Sequence, residues 1–294
     1  MTSVNDGVCG KMSERKMQPR RSFIFAPGLK PAMFPKALAS GADIVCVELE
    51  DGVAPKDKAL ARANVMAMFA EPQVDDGVER IVRINCVKDE FGKADLEAII
   101  KSDTPPPSLM LPKVKSPDEV VAVDQMLAER GHGCRLQIII ETNEGLEAAV
   151  EIANSSKRID ALLFGGVDMA ADLRCAQTWD ALLYARSRTV HAAASAGIDV
   201  IDVPHLDLDD REGMIEAAKR AKALGFSGKG SIHPKQIADL NAVFTPSSEE
   251  IARAKRIVQA FDEADTALVV IDGKLIEKPV LREMRRILSV SERY

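Results

Sequence analysis

Ile44 to Phe69 reads IVCVELEDGVAPKDKALARANVMAMF, and its two halves obey different periods. The run IVCV is continuously apolar, too short for a helix and without the polar alternation of a half-exposed strand. It closes on the acidic cluster ELED. After a loop rich in breakers, KDKALARANVMAMF carries apolar residues at helical spacing. A strand buried on both faces, followed by a helix, is the unit from which parallel sheets are built.

The same round recurs on either side. Upstream, FIFAPG precedes an Ala-rich stretch. Downstream come RIVRIN with FGKADLEAII, SLMLPK with SPDEVVAVDQMLAER, LQIIIET with EGLEAAVEIA, and IDALLFGG with DALLYARSRTVHAAASAG. IDVIDVP with DDREGMIEAAKRAKALG and GKGSIHP with KQIADLNAVF complete the series. Eight rounds over roughly 225 residues predict an α/β fold, a (β/α)8 TIM barrel over 21–245. An open doubly wound sheet with a topological switch point is the structural alternative.

The flanks read differently. Residues 1–20 are polar and aperiodic, the signature of a disordered or loosely docked tail. Residues 246–294 form a C-terminal extension. In it PSSEEIARAKRIVQAFDEA is a Ser- and Glu-capped helix, the DG turn of ALVVIDGKLIEK suggests a hairpin, and a last helix follows Pro279. Such an appendage covers a barrel mouth, its own or a neighbouring subunit's, or makes subunit contacts.

Composition narrows the function. The chain has 294 residues, 46% of them hydrophobic, and a formal charge of −6, so no basic field favours nucleic acid. No apolar run reaches the ~18 residues of a membrane span, and the N-terminus lacks the apolar core of a secretory signal. A cytoplasmic protein is expected, with no membrane partner. Cysteines at 9, 46, 86, 134 and 175 are odd in number and scattered, and read as free thiols.

In a barrel, chemistry sits at the carboxyl ends of the strands. The runs end in Glu48, Glu50 and Asp51, in Arg83 and Asn85, in Lys113, in Glu141, in Asp168 after Gly165 and Gly166, and in His233. Any one acid there is equally well explained as a helix cap. Capping suits Asp168, ahead of MAADL, better than Glu141, because Thr142 and Asn143 are nearer the next helix start. Two carboxylates on neighbouring strand ends, without His or Cys clusters, are hard oxygen donors suited to Mg²⁺ or Mn²⁺. Arg83 then clamps a substrate carboxylate, or else forms a structural ion pair with Glu50 or Asp51. A metal gripping a 2-keto or 2-hydroxy acid stabilises charge on its oxygen, which points to aldol or Claisen chemistry.

RSFIFAPG, ADIVCVELEDGVAPKDKALAR, VRIN, LPKV, IIIET, LLFGGVDMAADL, RTVHAAASAGIDVID, GFSGKGSIHPKQI and IDGKLIEKPV resemble, in this order, the citrate lyase beta subunit and malyl-CoA lyase family within the HpcH/HpaI aldolase group. The resemblance covers about 21–290. It implies a (β/α)8 barrel that forms trimers or dimers of trimers and uses Mg²⁺ to cleave or form 3-hydroxy-acyl-CoA thioesters, with a 2-oxo acid as the other product or substrate. Glu141 and Asp168 match the metal ligands, Arg83 the carboxylate clamp, and Asp51 an acid beside the metal that holds water or Arg83. Arg21, Lys30 and Lys58 match positions near the CoA phosphates. One departure stands out: Glu277 occupies the place of an Asp that reaches a neighbouring subunit's site to move a proton, and a longer side chain does that work only from a segment set farther back. A lesser departure is Glu48, where the family motif has Asp. His233 lies in IHP and reads as packing at the barrel's end. The glycines of GFSGKG are a weak phosphate-cradle signal. The resemblance leaves open a malyl-CoA thioesterase, a citrate lyase beta subunit acting on citryl-acyl carrier protein, and a CoA-thioester-binding protein without turnover.

Overall fold

A computed structural model describes residues 18–264, 268–271 and 274–292. Each predicted apolar run is a strand: β1 Ser22–Pro27, β2 Ile44–Glu48, β3 Glu79–Arg83, β4 Ser108–Leu111, β5 Arg135–Ile140, β6 Ile159–Phe164, β7 Asp199–Asp202 and β8 Gly228–Ser231. They form a closed barrel in sequence order, and β1 pairs with β8 in parallel. That pairing excludes the open sheet, which would leave β1 and β8 as unpaired edges or set them in another order.

Closure gives every strand an inner and an outer face. Phe23, Ile44, Cys46, Ile81, Met110, Ile139, Ala161, Leu163 and Ile201 form one cluster inside the barrel. Their neighbours Val45, Val47, Val82, Leu109, Ile138, Ile140 and Leu162 belong to the larger core beneath the helices. Both faces being apolar is why these strands read as unbroken hydrophobic runs. Side chains alternate with a period of two, so the next inward positions above Cys46, Ile81 and Ile139 are Glu48, Arg83 and Glu141. Register sets Glu48 directly beside Arg83.

The amino-terminal end of the barrel is closed by a charged plug. Arg20 is buried and pairs with Glu79 at 2.7 Å, Asp199 at 2.8 Å and Asp160 at 3.7 Å. Gln137, from the inner face of β5, donates to Glu79 at 3.0 Å. Arg20 is therefore not part of a tail, because its guanidinium pairs with three acids at the barrel floor. Residues 1–17 of that expected tail lie outside the described residues.

After the helix Ile237–Phe244 the chain leaves the barrel. The helix Ser248–Asp262 begins with a capping box in which Ser247 and Glu250 satisfy each other's backbone N–H, as the PSSEE sequence predicts. β9 Leu268–Ile271 and β10 Lys274–Glu277 pair antiparallel, and the helix Lys278–Ser291 follows. The DG turn expected between them lies outside the described residues. Ala254, Ile257, Phe261, Ile276 and Met284 give this extension a core of its own. Among the described residues no helix is long and apolar enough to cross a membrane.

Replacing Arg20 with Ala strands Glu79 without its cation. The expected cost is about 3–5 kcal/mol in urea unfolding, the range for breaking a buried pair from one side. A change within about 0.5 kcal/mol would return Arg20 to the tail.

Candidate active site

Glu141 follows the last residue of β5 and is 3% exposed. Its Oε1 accepts the backbone N–H of Lys113 at 2.7 Å. Gly165 forms the opposite wall: a Cβ built on it would stand 2.5 Å from both Cβ and Oε2 of Glu141. No other residue fits there without moving the carboxylate. Three positions on, Asp168 lies in the first turn of the helix Gly166–Leu173; it is not the expected cap, because the helix starts three residues before MAADL with Gly165 at its N-cap. Burial, and then the charge of Asp168, push the Glu141 carboxyl up to about 8.

A second group stands beside this pair. Arg83 donates to Glu48 Oε2 through Nε at 2.6 Å, and its Nη2 lies 2.5 Å from the same oxygen as an ion pair. Its Nη1 faces Glu50 Oε2 at 3.3 Å, a charge contact without the alignment of a hydrogen bond. The guanidinium lies over the Phe25 ring, 4.7 Å from its centroid. Glu48 Oε1 accepts the N–H of Glu50, which ties β2 to its own loop. Lys113 Nζ pairs with Glu50 and, at 3.0 Å, with Asp51. Burial raises the carboxyls of Glu48 and Glu50 against the pull of Arg83. For Asp51 burial also works upward, but Lys113 outweighs it and holds the group below its ordinary value.

Five carboxylates thus share the mouth with two cations, Arg83 and Lys113, and Glu141 and Asp168 have no cation of their own in the contacts above. A divalent ion between them answers that imbalance. Among the described residues no cluster of three or more His, Cys, Asp or Glu could hold a metal. Two acids with open positions suit Mg²⁺, which keeps water or substrate oxygens as its remaining ligands, whereas zinc's closed nitrogen and sulfur sets have no counterpart here.

The structure brings Glu141, Asp168, Arg83 and Asp51 to one end of the barrel. Asp51 is held by Lys113, not by Arg83, which donates to Glu48 and makes a charge contact with Glu50. Lys30 is exposed in the loop after β1, at the same end. Two other cations are corrected. Lys58 is buried, and its Nζ donates to the carbonyls of Leu49 at 3.0 Å and Glu50 at 2.7 Å, so its ammonium is engaged in pinning the loop after β2. Arg21 precedes β1 at the opposite end, where it grips Asp43 through Nε and Nη2 at 2.8 Å each and donates to Thr245 at 2.9 Å. His233 serves as a cap, its Nδ1 accepting from Lys235 N–H at 3.1 Å. The glycines of GFSGKG let backbones approach: a Cβ on Gly228 would meet the Arg20 carbonyl at 1.8 Å, and one on Gly230 would meet Pro204.

Glu277 stands apart, on the exposed face of β10. The helix after it lines a cleft with Arg20, Asp199 and Ser227, at the barrel end opposite Glu141. The residues whose roles sequence reading did not assign are Glu48 and Lys113, whereas the alternative ion pair of Arg83 with Glu50 is present. Parity with Ile44 and Cys46 marks Glu48 as inward, but nothing in the sequence shows that Lys113 joins two strand ends.

Two outcomes follow for the isolated protein. Glu141 has its folded pKa raised from 4.5 to about 8, so the fold favours the protonated acid, and apoprotein stability falls as pH rises through that window. If Glu141 holds Mg²⁺, the ion requires the ionised form, so its affinity should rise over the same window and level above it. Thermal melts with and without Mg²⁺ across this range check both signs. Gly165→Ala displaces Glu141 and should weaken Mg²⁺ binding by about 10-fold or more, measured by calorimetry, in line with losses seen when a ligand's support is disturbed.

Comparison with known proteins gives the family and the fold. Residues 21–234 match the family described as HpcH/HpaI aldolase/citrate lyase. Citrate lyase subunit beta of Escherichia coli (strain K12) is 32% identical over 297 aligned residues, covering 97% of each chain. The L-malyl-CoA/beta-methylmalyl-CoA lyase of Cereibacter sphaeroides (strain ATCC 17029 / ATH 2.4.9) is 34% identical, covering 94% of this chain and 95% of that one. Among solved structures, protein CitE from Mycobacterium tuberculosis in complex with magnesium, acetoacetate and coenzyme A superposes with a TM-score of 0.77 at 29% identity, over 94% of this chain and 99% of that one.

Proposed function

We propose that this chain, which belongs to the HpcH/HpaI aldolase/citrate lyase family, is a Mg²⁺-dependent carbon–carbon lyase acting on a 3-hydroxy-acyl-CoA such as malyl-CoA or citramalyl-CoA. Its products are acetyl-CoA and glyoxylate or pyruvate, and the reaction runs in either direction. The observation that carries the reading is Glu141, buried against Gly165 and raised by the charge of Asp168, at the same barrel end as Arg83.

Glu141 and Asp168 are the residues that hold Mg²⁺. When bound, the metal supplies Lewis-acid stabilisation of negative charge on the substrate's hydroxyl or keto oxygen. Arg83 takes the substrate carboxylate. Its stacking on Phe25 and its two acids fix the guanidinium before substrate arrives, so little ordering remains to be done on binding. Asp51, kept ionised by Lys113, offers an acceptor at the rim for the hydroxyl proton or for the water that takes it. Cleavage leaves the bond's electron pair on the carbon next to the thioester carbonyl, and that carbon must gain a proton to become the acetyl methyl.

Glu277 is the acid assigned to that proton, and it acts from a second copy of the chain. It shares one face of the β9–β10 sheet with Leu268, Val270 and Leu275, which are 48%, 70% and 58% exposed. The other face packs into the extension's own core. A matching set of exposed apolar residues, Met33, Val167, Leu206 and Ile232, surrounds the barrel mouth. Three large apolar side chains around a carboxylate fit docking on that mouth, and a homotrimer or hexamer accommodates such exchange. Lys30 is the remaining basic residue placed to meet CoA phosphate. Free thiols at Cys46, Cys86, Cys134 and Cys175 accord with the reducing cytoplasm.

The test is a panel of acyl-CoA thioesters incubated with Mg²⁺ and read by mass. Acetyl-CoA with glyoxylate or pyruvate supports the lyase; free CoA with malate identifies a thioesterase instead, and no turnover refutes both. Glu141→Ala should lower kcat/KM by at least about 100-fold while leaving the Tm equal or higher, since a buried acid with an unfavourable charge is removed. Mixing this variant with Glu277→Ala should restore part of the activity if one site draws on two copies. Unmixed levels of activity would place Glu277 outside the reaction.

A further inference from the structure

Lys113 is one of two described residues other than glycine with positive φ, at 55°. This left-handed conformation is uncommon for a side chain of its size and is kept only where surroundings enforce it. The other example, Arg174, ends a helix, where the conformation is ordinary. Lys113 ends no helix. It follows β4 through Pro112, and its turn aims one backbone N–H across to Glu141.

Three contacts fasten the turn. The ammonium reaches Glu50 and Asp51 in the loop after β2. One residue on, the Val114 carbonyl fits against Gly145, where a Cβ would stand only 2.3 Å away. Two residues on, Lys115 pairs with Glu144 at 2.6 Å. The segment Lys113–Lys115 is thus held against both the acidic loop after β2 and the chain that leaves β5.

We propose that Lys113 is the positioning residue of the metal site. Its left-handed backbone engages Oε1 of Glu141, which leaves Oε2, the oxygen on the Gly165 side, to face the ion. The ammonium acts one step back, anchoring that backbone on Glu50 and Asp51. The proposal rests on Glu141 and Asp168 holding the ion, and it assigns the effect to backbone direction, not to the charge of Lys113.

Variants separate the two. Lys113→Met removes the anchor and keeps a side chain that disfavours the left-handed turn; Lys113→Gly removes the same charge but adopts the turn freely. Mn²⁺ is the probe, with free ion counted by its electron paramagnetic resonance signal in the intact protein. Lys113→Met should bind about 10–100-fold more weakly, the usual loss when a ligand's support is removed. Lys113→Gly should stay close to wild type. A purely electrostatic role predicts equal behaviour of both, tighter than wild type, because each removes a positive charge near the ion; that outcome, or Lys113→Met binding like wild type, overturns the proposal. Should Lys113→Met fail to fold, Lys113→Gly alone decides, and weak binding by it refutes the backbone role. Absence of Mn²⁺ binding by the wild type overturns the metal reading itself, a result distinct from the others.

Discussion

A β-strand offers its side chains two directions only, and closing eight strands into a ring turns one of them inward. Everything at the mouth follows from that parity. Ile44 and Cys46 face inward, so Glu48 does; Ile81 faces inward, so Arg83 does; Ile139 faces inward, so Glu141 does. A slip of one residue would bring Val47, Val82 and Ile140 to the mouth and bury the charges among the helices. The inner apolar layers therefore select the register, and the register assembles the site.

The electrostatics then follow from crowding. Glu48, Glu50 and Glu141 are all removed from water, and burial raises each carboxyl. Arg83 and Lys113 offset this for the first two but leave Glu141 facing Asp168. The arrangement is unfavourable for an apoprotein and favourable for one that takes up a divalent ion. Holding two acids close costs stability, a cost that a bound divalent ion would offset. The opposite end shows the contrary design, since there each acid has a cation in contact, Arg20 for all three and Arg135 for Asp160 as well.

The strand–helix rounds, the capping box at Ser247 and the acids at the strand ends were legible in the sequence because each depends on neighbours along the chain. Arg21 and Lys58 were misread for the complementary reason: a cation's identity is local, whereas its partner is not. Arg21 meets Asp43 across strands, and Lys58 bends back onto the carbonyls of Leu49 and Glu50. The bridge made by Lys113 is hidden for a further reason, since no residue type announces a left-handed turn outside glycine and asparagine. Arg20 was assigned to the tail because a polar flank continues smoothly into it, and only the barrel floor reveals why the chain needs a charge there.

Cys46 lies in the middle of the inner cluster, one inward step below Glu48, with no exposed surface. Burial, reinforced by Glu48, pushes its thiol well above the usual range, so the nucleophilic thiolate is withheld as well as shielded. Neither rim motions nor docking of a second copy uncovers it. Alkylation at this one sulfur therefore keeps time with the opening of the strand ring itself, an internal clock for global unfolding that chemistry at the mouth leaves running undisturbed.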